Sequence, residues 1–334
     1  MNGGRKHMES IYRWEHPVIE HIRENIRSKI STAAFGVQQN EKILLAANTD
    51  AFFVYVCADY LAAKDLARRL SEILGDVAYL PFREDVLLYK SGEKTNFRKE
   101  RNAVLFDLCR GKLNGIVLTA EALMRPLPKK KEFCSHILTV KKGEECGLEA
   151  FVQKLLAAGY RRTEKAEEAG EFARRGDIVD VFSPSEPMPV RIEFWDTTVE
   201  DIKTIDPETM KSVRRQTEVT LCPAREIFYE KGEELAERLQ NEAKRQILKP
   251  EAAARLQTIL SELLPQLQEN TADHNWLACL CGGASVTEYL PENALILYDE
   301  PKALADKLDR AYRAHYERTA YLLQCGEILP LHDK

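Results

Sequence analysis

Apolar residues in the first third of the chain come in short dense runs alternating with four-residue periodicities. Ala51 to Cys57 (AFFVYVC) is a β-branched and aromatic run suited to a buried strand. Asp59 is placed to cap a following helix, in which Leu66, Leu70 and Leu74 recur until Gly75 ends it. A second strand is predicted over Val77 to Phe82, then a polar loop around Ser91 to Asn96, then a helix with Val104, Leu105 and Leu108 on one face. Gly115 to Thr119 (GIVLT) reads as another buried strand, with Thr119 able to cap AEALM. Repeated β-α units of this kind predict a parallel sheet covered by helices.

From Pro126 the texture changes. A lysine run at 129–131 leads to a strand (His136 to Val140) and a helix (Leu148 to Ala158) ending at Gly159. Strands without intervening helices then follow, over Asp177 to Phe182, Val190 to Trp195, Thr198 to Ile205 and Val213 to Leu221. Pro184, Pro187 and Pro189 punctuate the turns. Such short gaps fit an antiparallel meander in a separate α+β domain. Charged helices (Lys231 to Ile247, Pro250 to Gln268), a strand (Ala294 to Tyr298) and a helix from Pro301 to about Leu323 bring the β-α texture back. The economical reading inserts the meander domain into a β-α domain whose halves flank it. The boundaries are drawn at 1–85 and 215–334 for the flanking domain, 86–130 for a small subdomain and 131–214 for the insert.

Composition narrows the function. The 334 residues carry 48 Lys+Arg against 53 Asp+Glu, a net charge of -5, so any nucleic-acid contact must be local. The longest apolar runs fall far short of the roughly 18–20 residues that cross a bilayer, and no signal-peptide pattern opens the chain, so a cytoplasmic protein without membrane contact is expected. The 8 cysteines are scattered, mostly within apolar runs, and are expected to be reduced core thiols. Cys279 and Cys281 form a close pair but have no second pair or histidine at zinc-finger spacing, so no metal site is predicted.

A parallel sheet invites a phosphate-binding loop, yet no stretch matches G-x-x-x-x-G-K-[ST]. Phe35 to Ala46 (FGVQQNEKILLA) has one glycine and no Gly-Lys-Ser/Thr, and Gly92 to Thr95 reads as a solvated turn. Asp299-Glu300, after a strand, stands where an acidic pair would hold Mg²⁺ in a nucleotide hydrolase. Without a phosphate loop, the better reading is an N-terminal cap for the helix from Pro301. The seven histidines lie in no metal or nucleophile motif. No carrier of catalysis or cofactor chemistry is visible, which shifts attention to surfaces.

In Val190 to Trp195 (VRIEFW), strand alternation puts Val190, Ile192 and Phe194 on a core face and Arg191, Glu193 and Trp195 on the other. Exposed Arg and Trp are enriched at binding hot spots. The alternative is that Trp195 packs under a loop while Arg191 pairs with Glu193 or a neighbouring strand. Nearby, Gly170 to Gly176 (GEFARRG) places Arg174 and Arg175 before a strand, so Arg175 could join Arg191 and Trp195 in one patch. Composition alone favours a solvated basic turn balanced by Glu164, Glu167 and Glu168.

The run from Gly159 to Glu226 resembles the signature shared by the excision-repair protein UvrB and the transcription-repair coupling factors. Its elements are Gly159-Tyr160-Arg161, Gly170-Glu171-Phe172 leading to Arg175-Gly176, Asp180, Arg191 to Phe194, Asp201-Ile202 with Ile205-Asp206, and Pro223-Ala224. Leu80 to Phe82, Arg98 to Arg101 (RKER) and Val140 to Gly143 (VKKG) also resemble the coupling factors. UvrB-like chains have an intact phosphate loop and an aromatic-rich hairpin, which Phe35 to Ala46 and Pro81 to Thr95 lack. The resemblance is therefore to the N-terminal UvrB-homology module of the coupling factors. It implies a degenerate P-loop-NTPase-like α/β domain with an inserted α+β domain that binds UvrA through Arg175, Arg191 and Trp195. Trp195 stands where the family carries phenylalanine. It implies further a monomer without cofactor or ATPase activity of its own. RNA polymerase and double-stranded DNA would be partners of other domains of the family, and an unmasked UvrA patch is expected here. The alternatives are a residual nucleotide- or DNA-binding protein, using Asp299, Glu300 and the RKER and Arg174-Arg175 cations, or a purely structural module.

Overall fold

The computed structural model describes residues 14–82, 95–272, 274 and 276–329. In chain order, α1 (Pro17–Arg27) and α2 (Gln39–Ala47) precede β1 (Phe53–Cys57), α3 (Tyr60–Leu74), β2 (Val77–Tyr79), α4 (Thr95–Cys109), β3 (Gly115–Thr119), α5 (Ala120–Met124), α6 (Lys130–Ser135), β4 (Leu138–Lys141) and α7 (Leu148–Ala157). Then come β5 (Arg161–Arg162), β6 (Glu171–Arg175), β7 (Ile178–Phe182), β8 (Val190–Trp195), β9 (Thr198–Ile205), β10 (Ser212–Gln216) and β11 (Glu218–Leu221). The last elements are α8 (Gly232–Arg245), α9 (Pro250–Gln268), α10 (Leu277–Cys281), β12 (Leu295–Tyr298) and α11 (Pro301–Gln324). Asp59 caps α3 by accepting the Ala62 N–H at 3.0 Å, and Thr119 caps α5 from Ala122 at 3.4 Å, both as their positions foretold.

The described residues fall into two compact units. The first lies within Met1–Phe82, Arg110–Arg125 and Tyr289–Arg313. Its four strands form an all-parallel sheet in the order β12-β1-β3-β2. Strands β1 and β3 are buried along their whole length, which is why they read as unbroken apolar runs. Phe53 lies so close to Gly115 that a Cβ there would sit 2.6 Å from its ring, so this register requires glycine. Leu66 and Leu70 of α3 and Ile43 of α2 pack on Phe53, Tyr55 and Val117.

The second unit, within Arg83–Cys109, Pro126–Glu288 and Ala314–Lys334, holds a separate six-stranded sheet of order β10-β9-β8-β7-β6-β5. It is antiparallel except for the β5–β6 pair. Phe172, Val179, Val181, Val190, Ile192, Phe194 and Ile202 turn one face inward onto Phe151, Val152 and Leu155 of α7. The Phe151 and Phe194 rings meet at 5.7 Å. Strands β4 and β11 make a two-stranded ribbon, Val140 opposite Val219.

Several expectations are displaced. Strand β2 stops at Tyr79, and Thr95 and Asn96, assigned to a loop, open α4; the rest of that loop, including Gly92 to Lys94, lies outside the described residues. The basic stretch Glu171–Arg175, placed ahead of a strand and with a solvated turn as one reading, is itself strand β6, held by its ladder to β7. Val213 to Leu221 is two strands, which part at Thr217 to join different sheets. Cys109 and Cys134 are joined in a disulfide between α4 and α6, where reduced thiols were expected.

Candidate protein-interaction face

The face of the six-stranded sheet opposite α7 is set by two tight hairpins. Arg175 pairs with Ile178 around Gly176, whose φ of +60° is the left-handed conformation such a turn demands and glycine supplies freely. Trp195 pairs with Thr198 around Asp196, at φ +56°. Register then fixes what shares the face. One cross-strand row runs Ala173, Asp180, Arg191, Lys203, Arg215, and the next runs Arg175, Ile178, Glu193, Asp201. The strand alternation expected for β8 holds: Val190, Ile192 and Phe194 are buried, while Arg191, Glu193 and Trp195 turn outward.

Arg175, Arg191 and Trp195 are therefore on one face. Arg191 and Trp195 stand four residues apart on one strand, about 13 Å, and the strand bearing Arg175 is two strands away, about 10 Å. Trp195 is 73% exposed and packs under no loop. Arg175 is exposed and makes a 3.4 Å hydrogen bond to the Glu164 carbonyl. Arg191 has a partner on a neighbouring strand, as one alternative held: Nε donates to Asp180 Oδ1 at 2.7 Å and Nη2 to Oδ2 at 2.9 Å. The Asp180 side chain is 3% exposed against 20% for that of Arg191. That pair raises the Arg191 pKa further above its ordinary value.

Beside Arg191 a charge network, which the strand pattern of Thr198 to Ile205 could have revealed, orders the face. Lys203 Nζ bonds both carboxylate oxygens of Glu193 at 2.8 Å and approaches Asp201 at 3.2 Å. Asp201 also receives Lys142 at 3.3 Å and Arg215 at 3.5 Å. Hydrogen bonding to Glu193 holds the Lys203 pKa up against desolvation. Burial pushes the Asp201 carboxyl up, but the Lys203 and Lys142 ammonium groups outweigh it and keep it below the usual carboxylate range.

Several of the residues set aside for nucleotide or DNA chemistry are otherwise engaged. Lys42 Nζ lies 2.7 Å from Asp299 and 3.4 Å from Glu300, so an ammonium occupies this acidic pair just before α11. The stretch replacing a phosphate loop forms a capping box, Gln38 N–H donating to Glu41 at 2.8 Å. Arg101 of the RKER run is buried against Glu226 at 2.8 Å, and Arg174 pairs with Glu149 at 2.6 Å. Among the described residues, no three carboxylate, histidine or cysteine side chains gather as a metal site, and no helix is long and apolar enough to cross a membrane.

The segment that builds this face, residues 138–227, matches the family model of the UvrB interaction domain. The chain as a whole is similar to transcription-repair coupling factors, which bears out the resemblance seen from Gly159 to Glu226. It is 24% identical to that of Bacillus subtilis over 94% of this chain and 27% of the relative, and 33% identical to that of Myxococcus xanthus over 52% and 15%. It is also 29% identical to the UvrABC system protein B of Francisella tularensis over 64% of this chain and 35% of the relative. The chain thus spans about a quarter or less of the coupling factors it resembles.

Proposed function

We propose that this chain is the UvrA-docking module of a transcription-repair coupling factor and recruits UvrA to sites of stalled transcription for nucleotide excision repair. The observation that carries the reading is the exposed Trp195 on one face with Arg175 and Arg191, within the segment that matches the UvrB interaction domain. Trp195 would be the apolar anchor and the two arginines would form charge-assisted hydrogen bonds to the partner. No ATP hydrolysis is assigned to this degenerate P-loop-like sheet, because Lys42 already occupies Asp299. ATP-driven translocation on double-stranded DNA and displacement of RNA polymerase would belong to the remaining length of full-size coupling factors.

The test is a calorimetric titration of the chain against purified UvrA at two salt concentrations, with Arg191→Ala as control. Micromolar or tighter binding that the substitution removes supports recruitment. A folded chain that does not bind would point instead to an intramolecular structural role.

A further inference from the structure

We infer that Asp180 is a positioning residue for this interface: it clamps the Arg191 guanidinium in the orientation that a partner meets. This rests on the docking reading above and deepens it. Three observations converge. Asp180 sits directly opposite Arg191 in the β7–β8 ladder, and its other directly opposite neighbour is Ala173, which offers no polar side chain to its carboxylate. The pairing is a side-on fork through Nε and Nη2 at 2.7 and 2.9 Å, which fixes the guanidinium plane as well as its place. The Asp180 side chain is buried while the Arg191 side chain stays partly open on the face that also carries Glu193 and Trp195, so the protein satisfies Nε and Nη2 and leaves part of the arginine within reach of a partner.

A long arginine side chain free to rotate must be ordered on docking, and a clamped one has already lost that freedom. Ordering one such side chain costs about 0.5–1.5 kcal/mol, equivalent to about 2- to 13-fold in affinity. Asp180→Asn keeps the shape and removes the charge-assisted clamp, so UvrA binding should weaken by about 3- to 10-fold. The same substitution placed in an Arg191→Ala background should change affinity by less than about 2-fold, because its effect passes through the arginine.

The experiment measures the UvrA dissociation constant for the wild-type chain, Asp180→Asn, Arg191→Ala and the double variant, together with the Arg191 Nε–H signal by NMR. A slowly exchanging Nε–H in the wild type that is lost in Asp180→Asn, with the affinity loss confined to chains retaining Arg191, supports the inference. Equal losses in both backgrounds would mean that Asp180 acts through the fold, and unchanged or tighter binding would mean that it does not prepare Arg191; either overturns it. Absence of wild-type binding would instead sink the docking reading itself. Should Asp180→Asn not fold, Arg191→Lys keeps the charge without the fork: a 3- to 10-fold loss is expected, and unchanged affinity is the contrary result.

Discussion

Truncating Trp195 to alanine should separate binding from folding. The indole is 73% exposed in the free chain, so its removal takes little from the folded state, and stability should move by no more than about 0.5 kcal/mol. A docked aromatic buries about 150–250 Å². Taking three quarters of the upper value leaves about 180 Å² for the partner to cover, a ceiling of about 4–5 kcal/mol at about 25 cal/mol per Å². Ordering the side chain and the surface alanine itself retains reduce this to about 2–3 kcal/mol, or about 30- to 150-fold in the dissociation constant. Calorimetry with UvrA, alongside thermal melts of the free chain, reads both quantities. Trp195→Phe should keep most of the affinity. A loss below about 3-fold on going to alanine, with the chain folded, would refute the anchor role.

Other consequences test the scaffold. Phe151→Ala, which removes a ring that is 1% exposed and packed on Phe194, should destabilise the second unit by about 3–5 kcal/mol in urea unfolding. The Asp201 carboxyl has its pKa lowered by folding, so its contribution is present at neutral pH and is lost as pH falls through the carboxylate range near about 4. Asp201→Asn should therefore flatten the acid limb of a stability-versus-pH curve and leave its neutral-to-alkaline limb in shape. Under denaturing, non-reducing conditions Cys109 and Cys134 should escape alkylation because they are joined in the disulfide, and should react once a reductant is added. In the native chain Cys57 should resist alkylation, because burial and Asp299 push its thiol up to about 12.

Much of this architecture was legible in the sequence because its signals are local. The central parallel strands β1 and β3 are buried on both faces and so appear as runs such as GIVLT, and the capping side chains sit where backbone N–H groups need them. Strand β6 was not legible. Its residues EFARR offer one large apolar side chain, and it is a strand because β7 pairs with it and Glu149 takes up Arg174. Nor could alternation reveal the break at Thr217, since Val213, Val219 and Leu221 keep the same parity on both sides of it. For the site, alternation along VRIEFW showed which residues face outward, and the family resemblance singled out Arg175. Lys42 and Asp299 are 257 positions apart, a pairing that only the folded sheet creates.

The most direct test of the docking face is a photo-crosslink. A photoreactive residue at Thr197, exposed in the hairpin turn beside Trp195, should attach covalently to UvrA, while the same residue at Leu61, 70% exposed in the first unit, should not. Efficient crosslinking from position 197 that Arg191→Ala abolishes is the predicted result. No adduct from position 197, or equal adducts from positions 197 and 61, would contradict it.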